Sequence, residues 1–276
     1  MKNKCCICEA DSGLDYKKIL DYSLLKCKKC GLVYLDEIPS IEDDFIERAK
    51  DEVGNKNNKE RVEYWSFPGF FKKHKRVFDY YFEERLKRIR QFKPKINSLF
   101  DIGCGYGFWL KFCLERGIDA RGIDLSDEAI NYAKRELNLN VERYSLEDYR
   151  FNSAYDVIVM CDILEHLQEP NSQLKKIYQA LSGDGVVFIQ VPNLLGFKLP
   201  PFHGFGLPYH FWQFDISTLG LLLRKNGFKV LEWWTGVMGV IGVYESGGPT
   251  FLDSLTWKLA RQLKIGNRLM VAAKKI

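Results

Sequence analysis

The chain has 276 residues, of which 46% are hydrophobic and 28% charged, with no low-complexity tract or internal repeat; that length suits one large α/β domain plus a small appendage. A formal charge of +5 at pH 7 and a pI of about 8.6 fall short of the basic excess of a dedicated nucleic-acid binder. The start, Met1-Lys2-Asn3-Lys4-Cys5, is charged and leads into no apolar run, and the uncharged stretch at residues 233–244 is short and glycine-rich. No signal peptide or membrane span is therefore expected, and the chain reads as cytoplasmic.

Five of the eight cysteines fall within the first thirty residues. Cys5-x-x-Cys8 and Cys27-x-x-Cys30 are separated by eighteen residues, the spacing of two tight knuckles that aim two sulfurs each at one tetrahedral ion across a short hairpin. Disulfides are disfavoured in a cytoplasmic chain. Zinc held by Cys5, Cys8, Cys27 and Cys30 is the expectation, and a closed four-sulfur site is structural rather than catalytic. Gly31 suits the turn after the last ligand, Leu32-Val33-Tyr34-Leu35 reads as a strand, and Cys6 is a spare thiol. Lys4, Lys26, Lys28 and Lys29 offset the negative charge of such a cluster. This module is assigned residues 1–38.

Residues 39–61 are acidic and then polar, and read as a linker or flap. Phe71, Phe78, Phe82, Leu86 and Ile89 recur at spacings of three, four or seven, the mark of an amphipathic helix with a basic outer face, stopped by Pro94. Linker and helix are assigned residues 39–94. From residue 95 strands and helices alternate. Strands are expected at 96–102, 120–123, near Val141, and at 155–160, 185–191, 228–234 and 268–273. Helices are expected at 108–116, 127–136, 172–181, 218–226 and 251–263. Such alternation implies a doubly wound, mostly parallel sheet covered on both faces by helices, assigned residues 95–276.

Within it, Leu99-Phe100-Asp101-Ile102-Gly103-Cys104-Gly105-Tyr106-Gly107 is a buried strand ending in a glycine-rich turn that opens a helix. Glycines there let the backbone turn sharply and approach a ligand closely. The spacing Gly-x-Gly-x-Gly differs from the dinucleotide fingerprint. Asp101, two positions before the first glycine, suits a ligand with an ammonium group better than one with a pyrophosphate. Asp124 ends the next strand, where a carboxylate can accept both ribose hydroxyls of an adenosine.

With these blocks the chain resembles the class I S-adenosylmethionine-dependent methyltransferases over residues 98–276. Tyr155-Asp156-Val157-Ile158 through Leu164-Glu165-His166-Leu167 is similar to the family's fourth strand and Glu-His signature. Leu181-Ser182-Gly183-Asp184-Gly185 with Val191-Pro192-Asn193 is similar to its turn and fifth strand, and residues 210–228 to its histidine, aromatic and helix block. The cysteine module resembles zinc-binding heads on sugar and natural-product methyltransferases. The resemblance implies a seven-stranded Rossmann-like sheet whose last strand is antiparallel, with S-adenosylmethionine as cofactor. Asp101, Gly103, Cys104 and Gly105 would surround its methionine part and Asp124 hold the ribose. Leu125 and Leu146 would flank the adenine, and Cys161 would end the fourth strand. Where many members place an acid for the adenine amine this chain has Tyr144-Ser145-Leu146-Glu147, so Ser145 or Glu147 substitutes.

The sulfonium is already activated, so the protein has to align a nucleophile, exclude water and remove a proton. His210 and then His166 are the expected catalytic residues, with His203 and Tyr209 as further candidates. Asp162, Glu165 and His166 resemble the divalent-metal residues of quinone-pathway O-methyltransferases, against a plain role in loop hydrogen bonding. The intact Asp101, glycine turn and Asp124 argue against a non-catalytic binding protein. The expected acceptor is a small hydroxylated molecule such as a nucleotide-linked sugar or glycan unit; the alternative is ribosomal or transfer RNA, read through the zinc module. Residues 194–214, rich in Phe, Pro, Gly, His and Trp with only Lys198 charged positively, suit a lid over an enclosed apolar pocket.

Overall fold

The computed structural model describes residues 3–11, 13–19, 21–38, 68–197, 205–237 and 251–276, with the backbone alone for residues 251–254 and 256. The expected linker at 39–61 lies outside them. Strands β1 (Gly13–Ile19), β2 (Tyr22–Cys27) and β3 (Val33–Leu35) follow the first knuckle. Helices α1 (Gly69–Lys73) and α2 (Lys75–Arg90) stand where one helix was expected, broken at His74. Next come β4 (Ser98–Ile102), α3 (Phe108–Leu114), β5 (Asp119–Asp124), α4 (Asp127–Leu137), β6 (Val141–Arg143), β7 (Tyr155–Cys161), α5 (Pro170–Ala180) and β8 (Leu181–Pro192). The chain closes with β9 (Trp212–Gln213), α6 (Ile216–Lys225), β10 (Phe228–Gly236), α7 (Phe251–Gln262) and β11 (Arg268–Lys275).

The large sheet has seven strands in the order β10-β11-β8-β7-β4-β5-β6. Its β8-β7-β4-β5-β6 neighbours pair in parallel, and β11 runs antiparallel to both β8 and β10. The doubly wound, mostly parallel sheet expected from the sequence is thus present, with its last strand inserted antiparallel. Strands buried on both faces read as continuous apolar runs, and Val186–Ile189 and Val157–Met160 are fully buried. Local signals set the helix ends. Ser126 accepts the Ala129 amide at 3.2 Å to open α4, which stops at Asn138 in the left-handed region. Asp215 and Thr218 form a reciprocal cap on α6.

The strand order reverses beside β4, whose neighbours are β5 on one side and β7 on the other. A crevice opens at such a switch point, beyond the carboxyl ends of the strands. It receives Asp101 from β4, Asp124 from β5 and Cys161 from β7.

The N-terminal strands form a second, four-stranded antiparallel sheet in the order β1-β2-β3-β9. Its fourth strand comes from the far end of the chain. Cys5, Cys27, Tyr34 and Leu35 share one apolar core with Val187, Phe211, Trp212 and Leu219, so the head and the main sheet are packed as one body. Among the described residues no helix is long and apolar enough to cross a membrane.

Candidate active site

A cavity of about 390 Å³ lies at the switch point, lined by Asp101, Gly103, Cys104, Gly105, Asp124 and Cys161 among others. The glycine turn is held in a shape only glycine tolerates. Gly103 has φ +76°, and a methyl group there would overlap Ile163; Gly107 has φ +78°, and a methyl group would overlap Leu139. The Asp124 carboxylate reaches back to the turn, accepting the Gly105 amide at 2.7 Å with one oxygen and the Ser126 amide at 2.9 Å with the other. The acid expected to bind ribose therefore also fixes the loop that faces it.

Asp101 is 5% exposed. Burial pushes its carboxyl up to about 7, with Arg85 pulling it down and the Asp124 charge pushing it further up. Burial likewise raises the thiols of Cys104 and Cys161, which line the cavity as neutral groups.

Helices α1 and α2 supply Phe71, Phe78, Phe82 and Arg85 to the same cavity. Phe71 stacks on Phe108 with centroids 3.7 Å apart and planes 3° apart. The Arg85 guanidinium lies over Trp109 at 4.9 Å and Phe82 at 5.9 Å, which orients it and spares it part of its hydration. Sequence reasoning missed this arginine by treating the basic face as solvated. Arg85 stands three residues after Phe82 and one before Leu86, on the apolar stripe itself, and that position was the available signal.

Three residues expected around the adenine do not line this cavity. Leu125 is 55% exposed, and Leu146 is buried in the core. Ser145 donates to Asp148 Oδ2 at 2.7 Å and accepts the Asp148 amide at 3.1 Å, closing its own turn.

Neither His166 nor His210 is among the residues that line the cavity. His166 and His210 meet edge to face with ring centroids 4.7 Å apart. The His166 Nδ1 lies 2.9 Å from the Tyr209 carbonyl oxygen, so Nδ1 carries the hydrogen and Nε2 presents a lone pair. Burial lowers the His166 pKa, against the raising effects of that hydrogen bond and of the Asp162 charge; the ring is a neutral base at pH 7. Tyr209 thus serves through its carbonyl, and His203 lies outside the described residues.

Asp162, Glu165 and His166 do not converge as one set. Asp162 is ion-paired to Arg268 at 2.9 Å and accepts from the Gln190 amide at 2.8 Å. The group that comes together is Glu165, His166 and His210, with donor atoms within 4.8 Å of one another. Glu165 is fully buried, with neither carboxylate oxygen hydrogen-bonded among the described residues. Burial, then the Asp162 charge, raises its pKa well above the usual carboxylate range.

The expected lid has a different role. Phe205, Phe211, Trp212 and Phe214 are buried in the core, and β9 pairs with the head, so its described aromatics bind the chain together instead of roofing a pocket. Residues 198–204 lie outside the described residues.

At the head, the sulfurs of Cys5, Cys8, Cys27 and Cys30 approach one another at 3.2–3.8 Å. Metal–sulfur bonds of about 2.3 Å in a tetrahedron place sulfurs about 3.8 Å apart. The donor set fits one four-coordinate ion, with Cys6 outside it.

Residues 71–232 match the profile of a family described as "Methyltransferase domain". A ubiquinone biosynthesis O-methyltransferase of Haemophilus ducreyi is 29% identical over 122 residues, covering 38% of this chain and 52% of that protein. One from Coxiella burnetii is 28% identical over 176 residues, covering 61% and 70%. The chain spans about half the length of the first such relatives it matches. Among solved structures, a SAM-dependent methyltransferase of Archaeoglobus fulgidus superposes with a TM-score of 0.53 at 20% identity, covering 76% of this chain and all of that one. With a cavity at the switch point of a seven-stranded sheet and a family match across more than half its residues, the chain belongs to the methyltransferase-domain family.

Proposed function

We propose that the protein transfers the methyl group of S-adenosylmethionine to a hydroxyl of a small, largely apolar molecule. The observation that carries this reading is the pair of opposite charges in one apolar cavity: Asp101 and Arg85 both line it. An amino acid head group needs both, a carboxylate for its ammonium and a guanidinium for its carboxylate. Asp124 stands where the ribose hydroxyls of the same ligand would lie. The aromatic wall of Phe71, Phe78, Phe82 and Phe108 suits a flat apolar acceptor and a dry site, in which a sulfonium reacts faster than in water. His166, neutral and with Nε2 as acceptor, takes the hydroxyl proton, and His210 sits against it. The curated relatives are named as O-methyltransferases of ubiquinone biosynthesis, which favours a phenolic hydroxyl.

In the same reading the head binds one zinc ion, which adds rigidity and no reaction chemistry. Cys27→Ser should release the metal, read by elemental analysis; full metal content in that variant, or none in the parent, contradicts the assignment.

The acceptor is tested with methyl-labelled cofactor offered to an alkyl catechol, a nucleotide sugar and ribosomal RNA side by side. Label in the catechol, surviving nuclease and nearly constant between low and moderate salt, is the expected result. Label only in RNA, falling steeply with salt as phosphate contacts require, overturns the reading.

A further inference from the structure

The head and the histidines are connected through a few specific bonds. β3 pairs antiparallel with β9, Val33 opposite Gln213 and Tyr34 opposite Trp212, and the Leu35 amide donates to the Phe211 carbonyl at 2.9 Å. Beyond the ladder, Phe211 donates its amide to the Glu165 carbonyl at 2.9 Å, and the Trp212 indole donates to the Leu167 carbonyl at 2.7 Å. The strand that completes the head's sheet is thus bonded on both sides of His166. Gln213 adds a side-chain contact. Its buried amide donates to the Phe205 carbonyl at 2.8 Å and to the His210 carbonyl at 3.0 Å, closing the turn on which His210 stands. At the other end β3 grows directly out of the second knuckle, where the Cys27 amide donates to Leu32 and the Gly31 amide to Cys27.

A recognition module on a tether would have its own core and a free edge. Here the cysteines share a core with Phe211 and Trp212, and the edge of β3 is occupied by β9. The first knuckle is fastened as well: Asn171 donates to the Cys6 carbonyl at 2.7 Å, and Lys225 pairs with Glu9 at 2.8 Å.

We propose that the four-cysteine head is a positioning element of the acceptor side of the site: by clamping β3 onto β9 it fixes the backbone of residues 209–213, and Gln213 passes that order to His210 and so to the His166–His210 pair. The inference rests on the reading of those histidines as the proton-accepting side of the reaction. A short two-residue strand such as β9 has too few bonds of its own to persist without a partner, and misplacing a reacting group by about 1 Å costs on the order of 10²-fold in rate.

The test uses the full chain with two variants, Cys27→Ser to loosen the knuckle and Gln213→Leu to cut the side-chain link while leaving the metal in place. Hydrogen exchange of the peptides spanning 164–167 and 205–214, affinity for S-adenosylhomocysteine and methyl transfer to an alkyl catechol are measured on each. Exchange in those peptides should rise about tenfold or more as local opening becomes easier. Turnover should fall about 10- to 100-fold through kcat, while the affinity stays within about twofold because the cavity is built by other elements. Parent-like exchange in Gln213→Leu, which keeps the metal and so folds, overturns the proposal. Faster exchange with parent turnover is resolved by His210→Ala. If that variant is also fully active, the reading of the histidines fails; if it is inactive, the histidines matter and the positioning claim is wrong.

Discussion

The cavity and the histidine pair are assembled in opposite ways. The sheet side of the cavity is local: residues 99–107 build the strand and glycine turn, and Asp124 arrives on the adjacent parallel strand. The histidine pair is made across the chain, His166 from the loop after β7 and His210 from a turn held by a strand that pairs with Val33 and Tyr34 near the N-terminus. The first depends on backbone conformation that glycine permits, the second on long-range pairing and on the four-cysteine head. Damage to one should therefore leave the other working, so that affinity and turnover separate.

The largest effect is expected on the histidine side. His166→Ala should lower turnover on an alkyl catechol by about 10²–10⁴-fold, the usual contribution of a general base, with affinity for S-adenosylhomocysteine unchanged. Weakened affinity with normal turnover would assign His166 to cofactor binding instead. On the cofactor side, Asp124→Ala should cost on the order of 1.5–3 kcal/mol of binding, about 10- to 150-fold. Because Asp124 also accepts from Gly105 and Ser126, the larger figure is expected, seen by calorimetry together with faster exchange of the Gly105 amide.

The smallest and most specific effect is a pH dependence. The Asp101 carboxyl sits at about 7 in the unliganded protein, and an ammonium group binds its ionised form. Protonation competes with the ligand, so affinity should climb by up to about tenfold per pH unit below 7 and level off above it. Asp101→Asn should bind weakly and show no such slope. A parent curve that is flat between pH 5.5 and pH 7, roughly the window linkage requires, places the ammonium elsewhere.

How much of this was legible in the sequence follows from the same contrast. The sheet, the glycine turn and both cysteine knuckles are encoded by neighbouring residues, and the strands and helices around them lie within a few residues of where periodicity placed them. Arg85 was hidden because a cation on an otherwise basic helix looks solvated, although its spacing from Phe82 put it on the buried stripe. The aromatics of 205–214 suggested a lid because composition reports apolarity and not its partner; pairing with β3 sends Trp212 and Phe211 into the core. Nor could spacing show that Asp162 is taken by Arg268 and Gln190, leaving Glu165 and the two histidines as the group that converges.

In the proposed reaction one cavity binds the amino acid and nucleoside ends of S-adenosylmethionine between Asp101, Arg85 and Asp124. Titration calorimetry of S-adenosylhomocysteine into the full chain and into Arg85→Ala tests it most directly. One molecule should bind per parent chain, with the dissociation constant raised about tenfold or more in the variant, as expected on losing a charge-assisted hydrogen bond. No binding to the parent, or equal constants in the two proteins, would contradict it.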